Sequence, residues 1–493
     1  MKIHLALMFH FFLLSPLGMG NADVDPFLNL SDSPADTFYL KGLESARSGK
    51  IQEAILAMKE AIRLDSTRVE FYFNLGRLYL EDKCLPKAES TFKKTIELDS
   101  THARAYDRLG VTYLLQGDYP NAITSFEKAA DLAPEDPQIQ MELGEIYRVS
   151  TMYSAAQMAF ESAANLDPTN PKIYYRLGLL YNTQKSFSKG IEAFQKAIEL
   201  GWADSSYVPL GRLYLETAEE EKAMDAFQRA LQRNPKDVDA MNNIGLIHYR
   251  NRDVKKARRW FERVLRIDPD HVESLFLLGL IYYEMEDHEK ALSYFQKVLQ
   301  VEPGHPGAHY NLGNSYLKMG HIEEGKKELE IHERILKAAK EITNLRRSGT
   351  AGMTPLEYFY KLGTLNLEVM QYEQARGSFQ SAMNFGMHEV LGRYVIGTTY
   401  QREGNFEKAI EIFLEVSRKD PNHRDAHYAL GYCYLETSQI PLAIEAFQKT
   451  IEIDPSFPDA HHGLAIAFSL SGKEDEGKRE EEIYNQLKVK ISK

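Results

Sequence analysis

The sequence predicts an all-α solenoid of about thirteen helix–turn–helix units, and three observations predict it. A small residue returns at a fixed interval: Gly42, Gly76, Gly110, Gly144, Gly178, Gly211, Gly245, Gly279, Gly313, Gly363, Gly397, Gly431 and finally Ala465. The interval is 34 residues except for one of 33 (Gly178 to Gly211) and one of 50 (Gly313 to Gly363). A second small residue follows twelve positions after each, Ala88, Ala122, Ala291, Gly325 and Gly477 among them. Apolar residues between these landmarks fall at helical rather than alternating spacing. A fixed period of this length means stacked supersecondary units that bury a core only between neighbours.

Each unit is numbered so that its first small residue is position 8. The first helix, A, carries apolar residues at 4, 7 and 11, with Leu or Ile at 7 (Leu75, Leu109, Leu143) and Tyr at 11 (Tyr79, Tyr113, Tyr147). Helix A must stop near position 15, where Gly49, Gly117, Gly320, Gly404 and Gly472 are suited to a left-handed C-terminal cap. The second helix, B, carries the small residue at 20 and Phe at 24 in ten units, Phe126 and Phe295 among them. Gly or Ala at 8 and 20 lets the two backbones approach, and the ring at 24 fills the space beside that contact. Pro at 32 (Pro134, Pro168, Pro303, Pro421) ends helix B and starts the next unit. Gly76, Gly110, Gly144 and Gly279 thus pair with Ala88, Ala122 and Ala291 as framework positions.

This arrangement resembles the tetratricopeptide repeat (TPR) family over about residues 35–491. The resemblance implies a right-handed superhelix whose A helices line the inner, concave face. It also implies that positions 2, 5, 9, 12 and 13 point into that groove.

Two features punctuate the array. The 50-residue interval follows repeat nine, whose helix B continues through a 4-3-4-3 stripe of Ile331, Ile335, Ala338, Ile342 and Leu345. Glu324-Gly325-Lys326-Lys327-Glu328 there aligns in phase with Glu476-Gly477-Lys478-Arg479-Glu480 of repeat thirteen, and both units lack the position-24 Phe. Residues 35–347 therefore read as a first array of nine repeats ending in a long, cap-like helix, 348–355 as a loop, and 356–491 as a second array of four with its own capping helix. Whether the arrays stack continuously is open at this level. The other punctuation is residues 1–22, which lie outside the period. Lys2, the apolar run from Ile3 to Leu17 and the small residues of Gly20-Asn21-Ala22 form a secretory signal layout, followed by a linker at 23–34. About 15 apolar residues fall short of the ~20 a bilayer span needs, which favours a cleaved signal and a periplasmic or extracellular chain over an N-terminal membrane anchor.

Composition narrows the function. The net charge of −12 and the lack of a dominant Lys/Arg run disfavour nucleic acid. The two cysteines, Cys84 and Cys433, fall ten units apart and read as unpaired apolar fillers. Gly320…Gly325-Lys326 and Gly472…Gly477-Lys478 imitate a phosphate loop, yet their glycines are repeat positions 15 and 20, their intervening residues are acidic and no strand precedes them. His305/His309 and His423/His427 have the i, i+4 spacing of metal ligands but no third ligand nearby, and read as solvated turn residues. Neither a catalytic set nor a cofactor or metal site stands out, so the chain reads as non-enzymatic.

The inner face carries the functional expectation. Eight of thirteen position-5 residues are aromatic, Tyr175, Phe276, Tyr310, Tyr360, Tyr394 and Tyr428 among them. Leu280, Tyr283 and Tyr432 add to them at positions 9 and 12, with Leu80 and Leu114, while Arg77 and Arg212 supply sparse charge. Repeats eight to twelve are richest. These residues suit a scaffold or adaptor that binds protein partners, a peptide or a helix, in the concave groove and assists envelope, secretion or polysaccharide machinery. A glycan-binding protein, with sugars stacked on the Tyr rows, and a regulatory subunit of a separate enzyme are the alternatives. The oligomeric state is not encoded at this level. Mass spectrometry of the mature chain is expected to find an N-terminus near Asp23; intact Met1 on the exported protein would contradict it.

Overall fold

The computed structural model describes residues 33–491. The signal expected over 1–22, and most of the 23–34 linker, lie outside the described residues. Those residues hold twenty-six helices and no strand, paired as thirteen A/B repeats. They divide into two compact units between Arg252 and Asp253, so the division falls inside repeat seven, after its helix A (Val238–Arg250).

Repeat eight shows how a unit is built. Helix A spans Val272–Glu284 and helix B His288–Val301. A Cβ placed on Gly279 would stand 2.5 Å from Phe295 Cε1, and the corresponding distances at Gly76, Gly144, Gly211, Gly363 and Gly431 are 2.6–2.7 Å to the ring of their own position-24 Phe. The ring therefore lies directly on the position-8 backbone rather than beside the contact. Phe126 and Phe295 are fully buried, as are Ala88, Ala122 and Ala291. Burying a Phe side chain stabilises by about 1.5–3 kcal/mol, so this ring is a large apolar contribution in each of the ten repeats that carry it.

The turn after helix A follows one rule in all thirteen repeats. Position 15 is left-handed throughout: Gly49, Gly117, Gly320, Gly404 and Gly472 have φ between 73° and 85°, and Lys83, Thr151, Lys185, Ala218, Arg252, Glu286, Met370 and Ser438 have φ between 56° and 61°. The next N–H closes the turn onto the position-11 carbonyl, as in Met152 to Tyr147 at 2.8 Å and Gln439 to Tyr434 at 2.8 Å. This is the six-to-one bond of a Schellman cap. The geometry is thus set by the helix pair, and glycine is only its least strained occupant.

At the inter-repeat turn, position 34 caps the next helix A. Asp136 accepts from the N–H of Gln138 and Ile139, and His102, His271, His305 and His423 accept at Nδ1 from a backbone N–H three residues on. Within each unit, helix B packs on helix A of its own repeat and on the helix A that follows it. Within each unit, successive A helices also touch, as in repeats five and six or twelve and thirteen, while successive B helices do not approach to the same extent. Helix A therefore lies on the inside of each unit's curve.

The long helix of repeat nine spans Ile322–Ser348, and helix A of repeat ten begins at Pro355. The stripe of the long helix, Ile335, Ala338, Ile342 and Leu345, is buried against Leu365 of helix A of repeat ten and its C-cap Val369, with Tyr358 and Leu362 alongside. A Cβ on Gly304, in the preceding turn, would stand 2.1 Å from the Val369 carbonyl oxygen. Repeat ten therefore covers the helix that the sequence suggested as a cap. Among the described residues no helix is long and apolar enough to cross a membrane.

Two stability changes follow. Gly279→Leu overpacks the ring contact, at a cost of about 1–3 kcal/mol or more; hydrogen exchange should rise first in repeat eight and its neighbours, since repeats couple to the next unit. Thr151→Gly removes a β-branched residue from a left-handed site, where a side chain costs roughly 1–2 kcal/mol. It is expected to raise the melting temperature. The control Ser150→Gly, at φ −78°, should not.

Candidate partner-binding surface

The resemblance assigns positions 2, 5, 9, 12 and 13 of helix A to the inner side, and the two units fill these positions differently. Six large apolar residues at these positions are at least 40 % exposed: Tyr310, Tyr360, Leu391, Tyr432, Ile466 and Leu470. All six belong to repeats nine to thirteen. The exposed large apolar residues of repeats one to six, such as Leu56, Met158 and Leu166, stand at other positions of the unit.

The remaining candidates are partly consumed by packing. Phe276 lies between the rings of Phe295 at 5.8 Å and His305 at 4.8 Å. Tyr394 lies likewise between Phe413 and His423, and Tyr428 between Phe447 and Phe457. Tyr175 packs at 5.8 Å from Phe194. Burial pushes the hydroxyls of Tyr175, Tyr394 and Tyr428 above the ordinary phenol value. A position-5 ring thus sits over its own repeat's Phe and, in several units, under the cap residue of the next helix A. Leu280 and Tyr283 are half-buried, Tyr283 against His288. Leu80 and Leu114, which the sequence suggested as groove residues, are buried instead. Tyr310 meets His332 at 5.2 Å, and Tyr360 meets Phe379 at 5.9 Å, while both remain open on the other side.

The A helices of the first unit also carry charges that are largely paired with one another. Glu145 is buried between Arg148 at 2.6 Å and Arg176 at 3.2 Å. Burial opposes its ionisation, but the two guanidinium groups hold its carboxyl below the usual range. Asp107, Arg108 and Glu142 form a second cluster across repeats three and four. Arg77 is half-buried near Asn74 and over the Phe73 ring. Arg212 pairs with Asp239 at 2.6 Å in the open, a contact worth at most ~1 kcal/mol.

The histidine pairs are not solvated turn residues. His305 and His423 are helix caps, and His309 and His427 place Nε2 at 2.8 and 3.0 Å from the carbonyls of Pro303 and Pro421. Gln140 and Tyr174 make the same position-4 bond to Pro134 and Pro168. The i, i+4 spacing therefore reflects a cap followed by a tie across the turn. In the phosphate-loop imitation, Gly320 is a turn residue and a Cβ on Gly325 would meet Leu317 at 2.7 Å. Cys433 is buried, which pushes its thiol up to about 12, and Cys84 is a half-buried helix-start residue; both are free thiols.

Family models agree with this architecture. Tetratricopeptide-repeat models match residues 35–68, 68–135, 171–200, 282–335 and 394–458, and the TPR-domain model of cytochrome c-type biogenesis protein H matches 204–306. The chain is a tetratricopeptide-repeat protein. Among curated proteins none matches it significantly. Solved TPR structures align with parts of it. MamA from Desulfovibrio magneticus RS-1 is 24% identical over 36% of this chain and 99% of its own, with a TM-score of 0.33. YrrB, described as a TPR protein with an unusual peptide-binding site, is 24% identical over 37% of this chain and 95% of its own, at 0.31. The C-terminal part of a TPR repeat-containing protein from Cytophaga hutchinsonii is 18% identical over 48% and 98%, at 0.42.

Proposed function

We propose that this TPR protein is a non-enzymatic, exported interaction scaffold that holds protein partners on the inner face of repeats nine to thirteen. The observation that carries the reading is the segregation of exposed apolar side chains. Six stand at inner-face positions of these repeats, in a molecule whose other inner-face rings are tucked into the packing. Aromatic side chains that are open on one side and braced on the other lose little conformational freedom on binding, which suits them as anchors. The match of residues 204–306 to a TPR domain of a cytochrome c-type biogenesis protein favours a role in assembling other proteins. The signal layout at 1–22 favours an envelope or secreted location for that work.

The test uses the two most separable anchors. Tyr360→Ala with Tyr432→Ala is expected to weaken capture of the envelope partner by about 2 kcal/mol or more, with a melting temperature close to wild type. Lys297→Ala with Lys449→Ala, on helices B, should leave binding unchanged. If the Tyr double variant loses stability and keeps its affinity, the rings are packing residues and the partner site lies elsewhere. Retention on immobilised polysaccharide, lost in the same variant, would instead favour a glycan ligand.

A further inference from the structure

The polar cluster between repeats three and four holds more negative groups than its cations neutralise. Asp107 stands on helix A of repeat three (Ala103–Gln116), at the position where most repeats place an aromatic ring. Glu142 stands on helix A of repeat four (Pro137–Val149). Both are buried. A single guanidinium bridges them, with Arg108 Nε 3.0 Å from Asp107 Oδ2 and Nη2 3.2 Å from Glu142 Oε1. Gln138 Nε2 donates to the same Glu142 oxygen at 2.5 Å. The two remaining oxygens, Asp107 Oδ1 and Glu142 Oε2, are fully buried, and no N–H or O–H of the described residues donates to either. The carboxyl groups are within hydrogen-bonding reach of each other.

Two carboxylates at hydrogen-bond distance in a dry site cannot both ionise against one arginine. A proton on one of them supplies the donor that both orphan oxygens lack. We propose that Asp107 and Glu142 share a single proton, which ties helix A of repeat three to helix A of repeat four and is released on alkalinisation, loosening that one joint of the first unit. Helix A of repeat three brings Arg108 to the pair, helix A of repeat four brings Gln138, and the turn between them brings Asp136. Burial, and then the Glu142 charge, holds the Asp107 carboxyl well above the usual carboxylate range, against the pull of Arg108. For Glu142 burial opposes ionisation, yet Arg108, Asp107 and Gln138 outweigh it and keep that carboxyl low.

The direction of the pH dependence follows. An unfolded aspartate releases its proton near ~3.9, and the folded Asp107 releases it at a higher pH. The stabilisation is complete below the unfolded value and is lost as pH rises through the folded one, with the opening equilibrium changing by up to about tenfold per pH unit inside that window.

Hydrogen exchange of the full chain from pH 5 to 10, corrected for intrinsic rates, tests this. Opening of 103–116 and 137–149 should grow with pH relative to 220–233, and Asp107→Asn, whose amide can donate to Glu142 in place of the proton, should be flat. A wild-type profile without the slope, or an Asn variant that keeps it, overturns the proposal. Carbon NMR of side-chain carboxyls in the wild-type protein gives a readout independent of any variant. Asp107 should titrate above the ordinary aspartate range, and a normal titration overturns the shared proton. In Glu142→Gln, Asp107 should titrate lower than in wild type.

Discussion

Everything in this molecule rests on a ring lying where a Cβ would be. The position-24 Phe touches the backbone of helix A at position 8 so closely that a methyl group there would fall 2.5–2.9 Å from the ring in most repeats. That contact fixes the separation of the two helices in each unit and, through helix B, the seat offered to the next unit. Phe447 is held from both sides, by Gly431 of its own repeat and Gly463 of the following one. Where the ring is missing, the helices close further. In repeat nine a Cβ on Gly313 would meet both Leu329 and the Gly325 carbonyl at 3.0 Å. A stack built this way tolerates variation away from positions 8, 20 and 24, which together control the spacing.

The turn illustrates how a constraint can be general while its sequence signal is not. The 34-residue period was enough to place every repeat, its two helices and its core ring, because position 8 can hardly be filled otherwise. Position 15 was only partly legible. Five glycines revealed a left-handed site, but Lys83, Thr151 and Ala218 adopt the same conformation with no glycine to announce it. There the Schellman bond to position 11 and the packing of helix B outweigh a local cost of about 1–2 kcal/mol. The histidines were misread for a related reason. A cap at position 34 and a tie at position 4 fall four residues apart across a repeat boundary, and that spacing imitates a ligand pair.

Position 5 was the hardest to interpret from sequence, because one residue type serves two purposes there. Tyr394 and Tyr360 have the same place in their helices, yet the former is covered by His423 while the latter stays 40 % exposed. Repeat ten places its cap residue, His388, one place earlier, at position 33, and it makes no side-chain cap bond. What separates an anchor from a filler is thus set by the next unit's capping turn. The Asp107–Glu142 cluster was hidden in the same row. An acid at position 5 carries no signal by itself, because its meaning depends on Arg108 and Glu142 at position 6 of adjacent repeats.

Repeats nine and thirteen show that sequence similarity within the chain can extend to tertiary detail. In both, a buried position-4 histidine meets a position-23 glutamate at 2.6 Å, His309 with Glu328 and His461 with Glu480. In both, positions 5 and 27 form an aromatic pair with the two residue types exchanged, Tyr310 with His332 and His462 with Tyr484. The pair replaces the missing Phe as a brace between helices A and B. It also leaves the outward side of the position-5 ring open, which is why Tyr310 is the most exposed tyrosine of the inner row. Loss of the core ring and exposure of a candidate anchor are then two results of one substitution.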